Sequence, residues 1–268
     1  MMFISDVNFI FLKFMKKISA VIVAHNEEKK IRDCLRSIDF VDEIVVVLDR
    51  CSDNTKQITL EFKAKIIEGS WELEGVRRNI ALSSASCEWI LEIDCDERVS
   101  DELKNEILQV INNSDKCCYN VGIANYIGKR WVKYGWLRTI GVLKRNSLSY
   151  RGLKKYDEDK LVHPTYNFEG KVGDLKHYLI HLVDDDIADL LARFNRYTNW
   201  KAKDIISKNK KLPNLLKLFL SVKWRFCKSY FFKKGYKEGV LGLLIALLCA
   251  MYPLVAYLKV KEKNNENC

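Results

Sequence analysis

From Ile18 to Ile93 the chain alternates four times between short apolar runs and polar, helix-like stretches, and few architectures accept that order. Ile18 to Ala24 is apolar and is followed by His25-Asn26-Glu27-Glu28 and a helical stretch, Ile31 to Ile38. Ile44 to Leu48 leads into Asp49-Arg50-Cys51-Ser52-Asp53-Asn54-Thr55 and a second helical stretch ending near Phe62. Lys65 to Ile67 precedes a third, Gly75 to Leu82, and Trp89 to Ile93 closes the series. Runs of this kind predict parallel βαβ units and an open α/β sheet. Ligands of such sheets sit outside the carboxyl ends of the strands. His25, Asp49, Asp53 and Asp94 all fall at those ends.

The last run opens into Asp94-Cys95-Asp96-Glu97. Two aspartates one residue apart at a strand end are expected to point the same way, because side-chain direction repeats every second residue. Paired hard oxygen ligands suit a divalent cation that carries phosphates. Acidic loops are also ordinary helix starts, and Ser100-Asp101-Glu102 has the form of one. The motif alone decides nothing.

Taken in order, the motifs resemble the nucleotide-binding half of a family 2 glycosyltransferase with the α/β, Rossmann-like GT-A fold. The branch they resemble most extends lipopolysaccharide cores or modifies related glycolipids. The resemblance runs from about Lys17 to Lys259. Val21 to Glu28 matches the opening strand and loop, Asp49 and Asp53 the second loop, Arg78-Asn79 the central pair, and Asp94-Cys95-Asp96 the metal motif. It implies a donor site of Ala24, His25, Asn26, Glu27, Asp49, Asp53, Arg78, Asn79 and Asp94, with a UDP-sugar favoured. Asp49 would accept the imide N–H of the base, and Arg78 would offer a fork of donors to the diphosphate or base edge. Asp96, with Asp94, would hold Mg²⁺ or Mn²⁺, whose charge stabilises the departing diphosphate. Arg77 reads as a solvated helix face.

Inverting transfer from such a donor needs a general base. Close relatives carry a His-Glu pair here, whereas this chain has His163-Pro164. The base candidates are Asp159, His163 and Glu169, with Asp157 and Glu158 beside them. A polyprenyl phosphate acceptor is already anionic and needs no base, which makes it the alternative acceptor. Trp131 and Trp136, in the interleaved aromatic and basic segment Tyr126 to Arg138, are assigned to the acceptor together with Arg145. The same segment also suits a strand pair packing its tryptophans, or a nucleic-acid strand. His177 and His181 sit four apart in a strand-like run, a poor metal clamp, and no cysteine joins them at zinc spacing.

The net charge is +10, and Lys201 to Lys237 holds twelve Lys or Arg against one acid, Asp204. The excess is therefore confined to one tract, which excludes a general nucleic-acid binder. Leu215 to Lys234 mixes these cations with aliphatic and aromatic residues, the pattern of an amphipathic helix on an anionic membrane. Gly239 to Leu258 is twenty residues without a charge, long enough for a membrane helix. The expected divisions are an N-terminal extension, 1–16, which Met15 as a start would leave untranslated; a GT-A catalytic domain, 17–183; a basic amphipathic region, 184–237; and an apolar helix with its tail, 238–268. Within these, Asp185 to Asn209 and Asn214 to Lys234 each read as one helix. Nine cysteines without paired spacing read as reduced thiols. The whole points to the cytoplasmic face of an inner membrane and to a membrane glycolipid or lipid-phosphate acceptor. A non-catalytic scaffold that keeps the fold is a further alternative.

Overall fold

The computed structural model describes residues 16–136, 143–159 and 164–266, with side chains to residue 263. They fall into two compact units, one from Met1–Ile123 and Lys144–His181, the other from Ala124–Leu143 and Leu182–Cys268.

In the first unit the apolar runs form β1 (Ile18–Ala24), β2 (Glu43–Asp49), β3 (Lys65–Gly69) and β4 (Trp89–Glu92). Between them lie α1 (Ile31–Ser37), α2 (Thr55–Glu61) and α3 (Glu74–Ser84). The strands pair in parallel in the order β3-β2-β1-β4. Their apolar runs are nearly unbroken because both faces are covered. Ile18, Ala20 and Ile22 share a buried cluster with Ile31, Leu35 and Ile38, joined by Leu103 and Ile107 of α4 (Asp101–Asn113). The alternate positions Val21, Val45 and Val47 pack with Ala81 and Leu82 of α3 on the other face. Ser100 caps α4 as expected, its hydroxyl accepting from Leu103 N–H at 3.3 Å.

Beyond β4 the sheet turns antiparallel. Its remaining strands are β5 (Glu97–Arg98), β6 (Cys118–Ile127), β8 (Lys144–Tyr150) and β11 (Val172–Asp184), in the order β4-β8-β6-β11-β5. A separate antiparallel pair is made by β9 (Lys154–Tyr156) and β10 (Tyr166–Phe168). The loop after β9 lies hard against α3: a Cβ on Gly75 would stand 2.0 Å from the Asp157 carbonyl oxygen, so only glycine fits there.

The second unit is built on α5 (Ile187–Ser207), α6 (Leu215–Cys227) and α7 (Gly239–Glu266). It also takes in the end of β6 and β7 (Arg130–Trp131), a hairpin that turns at Gly128 (φ 54). The sequence reading placed this hairpin in 17–183; Ile127 and Val132 instead pack with Leu190 of α5 and Ile245 and Cys249 of α7. Asp186 and Asn214 cap α5 and α6, accepting from Asp189 N–H at 2.8 Å and Lys217 N–H at 2.9 Å. The helix expected to run from Asn214 to Lys234 is shorter. After Cys227 it widens into a π turn, Lys228–Phe232, then passes through left-handed Lys234 (φ 58) to a 3-10 turn, Gly235–Glu238. The buried Glu238 closes this segment: its carboxylate accepts from Lys133 N–H at 2.8 Å, Tyr134 N–H at 2.9 Å and Arg130 at 2.9 Å.

Candidate active site

The carboxyl ends of β1, β2 and β4 bring together most of the residues expected at the site, all within the first unit. At the end of β1, His25 Nδ1 donates to the Asp49 carbonyl at 2.6 Å, which fixes the proton on that nitrogen. Asn26 and Arg50 both adopt left-handed backbone, with φ of 55 and 53, at the tips of adjacent loops. Asn26 Oδ1 accepts from Ser52 N–H at 2.8 Å and so ties the two loops.

Asp53 completes that tie. Its Oδ2 accepts from Glu28 N–H at 3.0 Å, and its Oδ1 accepts from Thr55 N–H at 3.0 Å and the Thr55 hydroxyl at 2.6 Å. Burial opposes its ionisation, but these hydrogen bonds outweigh it and hold the carboxyl below its ordinary range. Asp53, expected on the donor, is thus bound into the loop between β2 and α2.

Asp49 is fully buried. Its Oδ1 accepts from Arg50 Nε at 3.1 Å and Trp71 N–H at 3.0 Å, and its Oδ2 accepts from Arg50 Nη2 at 2.8 Å and from Arg77. Arg77 is therefore no solvated face. Burial is again overcome, and Asp49 is held below the usual carboxylate range.

Asp94 and Asp96 take different partners. They sit in a turn, closed by Glu97 N–H donating to the Asp94 carbonyl at 2.9 Å, and not in extended strand, so strand alternation does not govern them. Asp94 accepts from Arg145 Nη1 at 2.6 Å and Arg78 Nη1 at 3.4 Å. Although burial opposes it, the two guanidinium charges hold Asp94 well below its ordinary value. Asp96 faces His181 Nε2 at 3.3 Å. β11 pairs with β5, and His181 stands opposite Glu97 in that register. Burial alone would depress the imidazole; the hydrogen bond and charge of Asp96, with Glu97 and Asp94 behind it, raise it above its usual value. Glu27 lies near enough for burial and the Asp96 charge to raise its carboxyl.

Arg145 was expected on the acceptor. It is instead shared between Asp94 and Glu97, which places it beneath the acidic motif. Glu97 is almost fully buried and also accepts from Asp94 N–H at 3.0 Å. Burial, with the neighbouring Asp94 charge, pushes Glu97 up to about 7 despite Arg145. Deeper still, Lys154 bonds Glu92 and donates to the Asn146 carbonyl at 2.6 Å, while the Tyr156 hydroxyl donates to Glu92 at 2.8 Å.

Arg78 and Asn79 divide their work. Arg78 Nε holds Glu74 at 2.8 Å, and its guanidinium lies 5.6 Å from the Tyr156 ring centroid while it reaches Asp94. Asn79 is committed to the fold: Nδ2 donates to the Tyr156 carbonyl at 2.9 Å and Glu158 at 2.7 Å, and Oδ1 accepts from Tyr156 N–H at 2.8 Å. Of the base candidates, Asp157 accepts from the Thr165 hydroxyl and Glu158 from Asn79. Asp159 and Glu169 are exposed. His163 lies outside the described residues.

Trp131 and Trp136 belong to the second unit. Lys133 Nζ lies 4.3 Å from the Trp131 ring centroid, and Arg225, Lys228 and Lys233 surround Trp136 at 5.3, 5.8 and 4.5 Å. Sequence reasoning missed Arg50, Arg77, Glu97 and His181. Glu97 adjoined the motif in plain view. His181 had no such signal, since only the pairing of β11 with β5 brings it to Asp96.

Among the described residues no three His, Cys, Asp or Glu side chains converge on one cation position. Asp96 Oδ2 and His181 Nε2 stand 3.3 Å apart, two donor atoms of kinds that suit a small cation which arrives with a diphosphate and keeps phosphate and water oxygens.

The chain is similar to several known proteins. The lipopolysaccharide core biosynthesis glycosyltransferase LpsC of Rhizobium meliloti is 25% identical over 255 residues, 92% of this chain and 93% of LpsC. An uncharacterized glycosyltransferase of Rickettsia felis is 26% identical over 257 residues, covering 92% of this chain and 90% of its own length. Among solved structures, S. aureus TarS 1-349 overlays 94% of this chain and 92% of its own, at 17% identity and a TM-score of 0.47. Glucosyl-3-phosphoglycerate synthase of Mycobacterium tuberculosis, solved with Mn²⁺, UDP and phosphoglyceric acid, overlays 52% of this chain and 57% of its own at 20% identity and a TM-score of 0.40. The family model for glycosyl transferase family 2 matches residues 19–170, more than half of the chain and every strand end described above. The chain is a member of glycosyl transferase family 2, an α/β enzyme of the GT-A type.

Proposed function

We propose that the enzyme moves a sugar from a nucleotide-activated donor, a UDP-sugar by preference, to a lipopolysaccharide core or related membrane glycolipid at the cytoplasmic face of the inner membrane. The observation that carries this is the division of the acidic motif. Arg145 and Arg78 neutralise Asp94, while Asp96 is left beside His181. In this reading Asp96 and His181 would hold Mg²⁺ or Mn²⁺, which would supply positive charge beside a leaving diphosphate. Arg78 and Arg145 keep Asp94 ionised and oriented toward the donor. His25, Asn26 and Glu27 form one wall of the base and ribose site, and Arg50 and Arg77, locked by Asp49, form the other. The likeness to LpsC over nine-tenths of both chains supports the glycolipid acceptor.

The acceptor hydroxyl attacks the anomeric carbon in line as the sugar–phosphate bond breaks, and a base takes its proton. Asp159, His163 and Glu169 are the candidates. Asp157 and Glu158 are already bonded to Thr165 and Asn79, which favours the second reading, transfer to a polyprenyl phosphate that needs no base.

Thermal stability of purified protein with UDP, GDP or CMP, each with and without Mn²⁺, tests the donor site, since a ligand that binds the folded state raises Tm. A Mn²⁺-dependent rise with one nucleotide, lost in Asp96→Ala and in His181→Ala, is expected. A rise that ignores Mn²⁺ or survives both substitutions would refute the metal assignment. Activity retained by Asp159→Asn, His163→Gln and Glu169→Gln together would move the acceptor to a lipid phosphate.

A further inference from the structure

α6 turns its apolar side outward. Leu216, Phe219, Leu220 and Trp224 are each more than half exposed and share the side of the helix opposite buried Leu218. Phe232 of the π turn is 69% exposed and extends the row, its ring centroid 5.6 Å from that of Trp224. An apolar face this size is not left bare without an occupant. The charges around it say which. Lys217, Lys223, Lys234 and Lys237 are exposed on the same short stretch. Asp204, the sole acid between Lys201 and Lys237, is taken by Lys208 at 2.6 Å and Lys210 at 3.0 Å.

We propose that the second unit docks in the plane of an anionic phospholipid bilayer, with Phe219, Leu220, Trp224 and Phe232 in the acyl boundary and Lys217, Lys223, Lys234 and Lys237 on the headgroup phosphates. Apolar side chains flanked by lysines have the composition of an interfacial helix. The stretch Gly235–Lys263 is long and apolar enough to cross a membrane by itself. It is not alone, however. Ile245, Ala246, Cys249, Ala250 and Ala256 of α7 are buried, and α7 packs against α5 and α6. A crossing by α7 would draw Lys217 and Lys223 of α6 and Lys228 of the π turn into hydrocarbon, where charge is costly. Lying flat leaves these lysines at the phosphates. The inference goes beyond the glycosyl-transfer reading, because it stands on the second unit and is read without donor or acceptor.

The test is co-sedimentation of the full chain with phosphatidylcholine vesicles, with and without one quarter phosphatidylglycerol, at low and high salt. At least tenfold more binding to the anionic vesicles is expected, weakened by salt. Phe219→Ser with Leu220→Ser and Phe232→Ser should lower binding at least tenfold while the thermal melt stays put. Lys217→Glu with Lys223→Glu and Lys234→Glu should abolish the preference for anionic lipid. Brominated lipid should quench the parent's tryptophan emission more than that of Trp224→Phe, a mild change that keeps the test open if a triple variant misfolds. Equal quenching, equal binding to neutral vesicles, or an unaltered apolar variant would overturn the proposal. Retention after an alkaline carbonate wash would put α7 across the bilayer and overturn the flat mode. A concentration-dependent dimer without vesicle binding would give the face to a second copy.

Discussion

The two units handle cationic side chains in opposite ways. In the first, arginines end on carboxylates inside the fold: Arg50 and Arg77 on Asp49, Arg78 on Asp94, Arg145 on Asp94 and Glu97. In the second, most cations face outward or lie on aromatic rings, as Arg225, Lys228 and Lys233 do around Trp136. Two arginines are exceptions: Arg193 is forked onto buried Asp184 at 2.6 Å through both Nε and Nη2, and Arg130 reaches buried Glu238 at 2.9 Å. Paired cations fix a shape and poise a site; outward ones leave their charge available to something else. Net charge by region hides this, because the paired cations cancel and vanish from the sum.

The comparison breaks if Arg145 can be removed cheaply. Arg145→Met should cost about 3–5 kcal/mol in urea unfolding, since buried Glu97 is left without its cation and Asp94 keeps only Arg78. A cost below about 1 kcal/mol would mean that the cluster is not held by pairing. Asp96→Ala sharpens the contrast from the other side. Asp96 is partly exposed and carries little of the fold, so stability should change by less than about 1 kcal/mol. Transfer should nonetheless fall about 10²–10³-fold, the usual loss of a charge-stabilising group. Comparable losses of stability and activity would contradict the metal role.

Asp53→Asn should cost about 1–2 kcal/mol at pH 7, because one charged acceptor serves three donors. The sign of its pH dependence follows from a depressed folded value. The stabilisation is fully present above the unfolded carboxyl range, near pH 4, and is lost as pH falls through the folded value. The gap between parent and variant should therefore narrow as pH falls below about 4 in urea melts, and a gap that does not change with pH would count against it. The smallest effect belongs to the second unit. Phe219→Ser should shift stability by less than about 0.5 kcal/mol, because the ring is 65% exposed. A large loss would show that α6 packs its outer face in solution.

The parallel half of the fold was legible because its strands are buried on both faces and its helices are amphipathic, and each bound fell within about two residues. The placing of Asp49, Asp94 and Asp96 at or just after strand ends was legible from the apolar runs before them. Their partners were not. Which partners Asp94 and Asp96 meet depends on a turn formed after the strand stops, and Arg145 and His181 arrive from strands 48 or more residues away in sequence. Asp53 and Asn79 matched motif positions, yet hydrogen bonds to neighbouring backbone decide that they build the site. The anchoring of Glu238 was equally hidden, because its partners lie about a hundred residues earlier in the chain.

One feature of the connectivity reaches into genetics and engineering. The chain leaves the first unit after Ile123, returns at Lys144, and leaves again after His181. Neither unit is a contiguous stretch of gene. A stop codon near residue 183 would not yield a free catalytic fragment. It would strand the 124–136 hairpin, whose Ile127 and Val132 seat against Leu190 and Ile245, and present that apolar surface to solvent. Recombination could not trade the helical tail between relatives as a cassette without carrying the hairpin with it. Soluble expression of this enzyme therefore calls for repainting the outer face of α6, with every helix left in place.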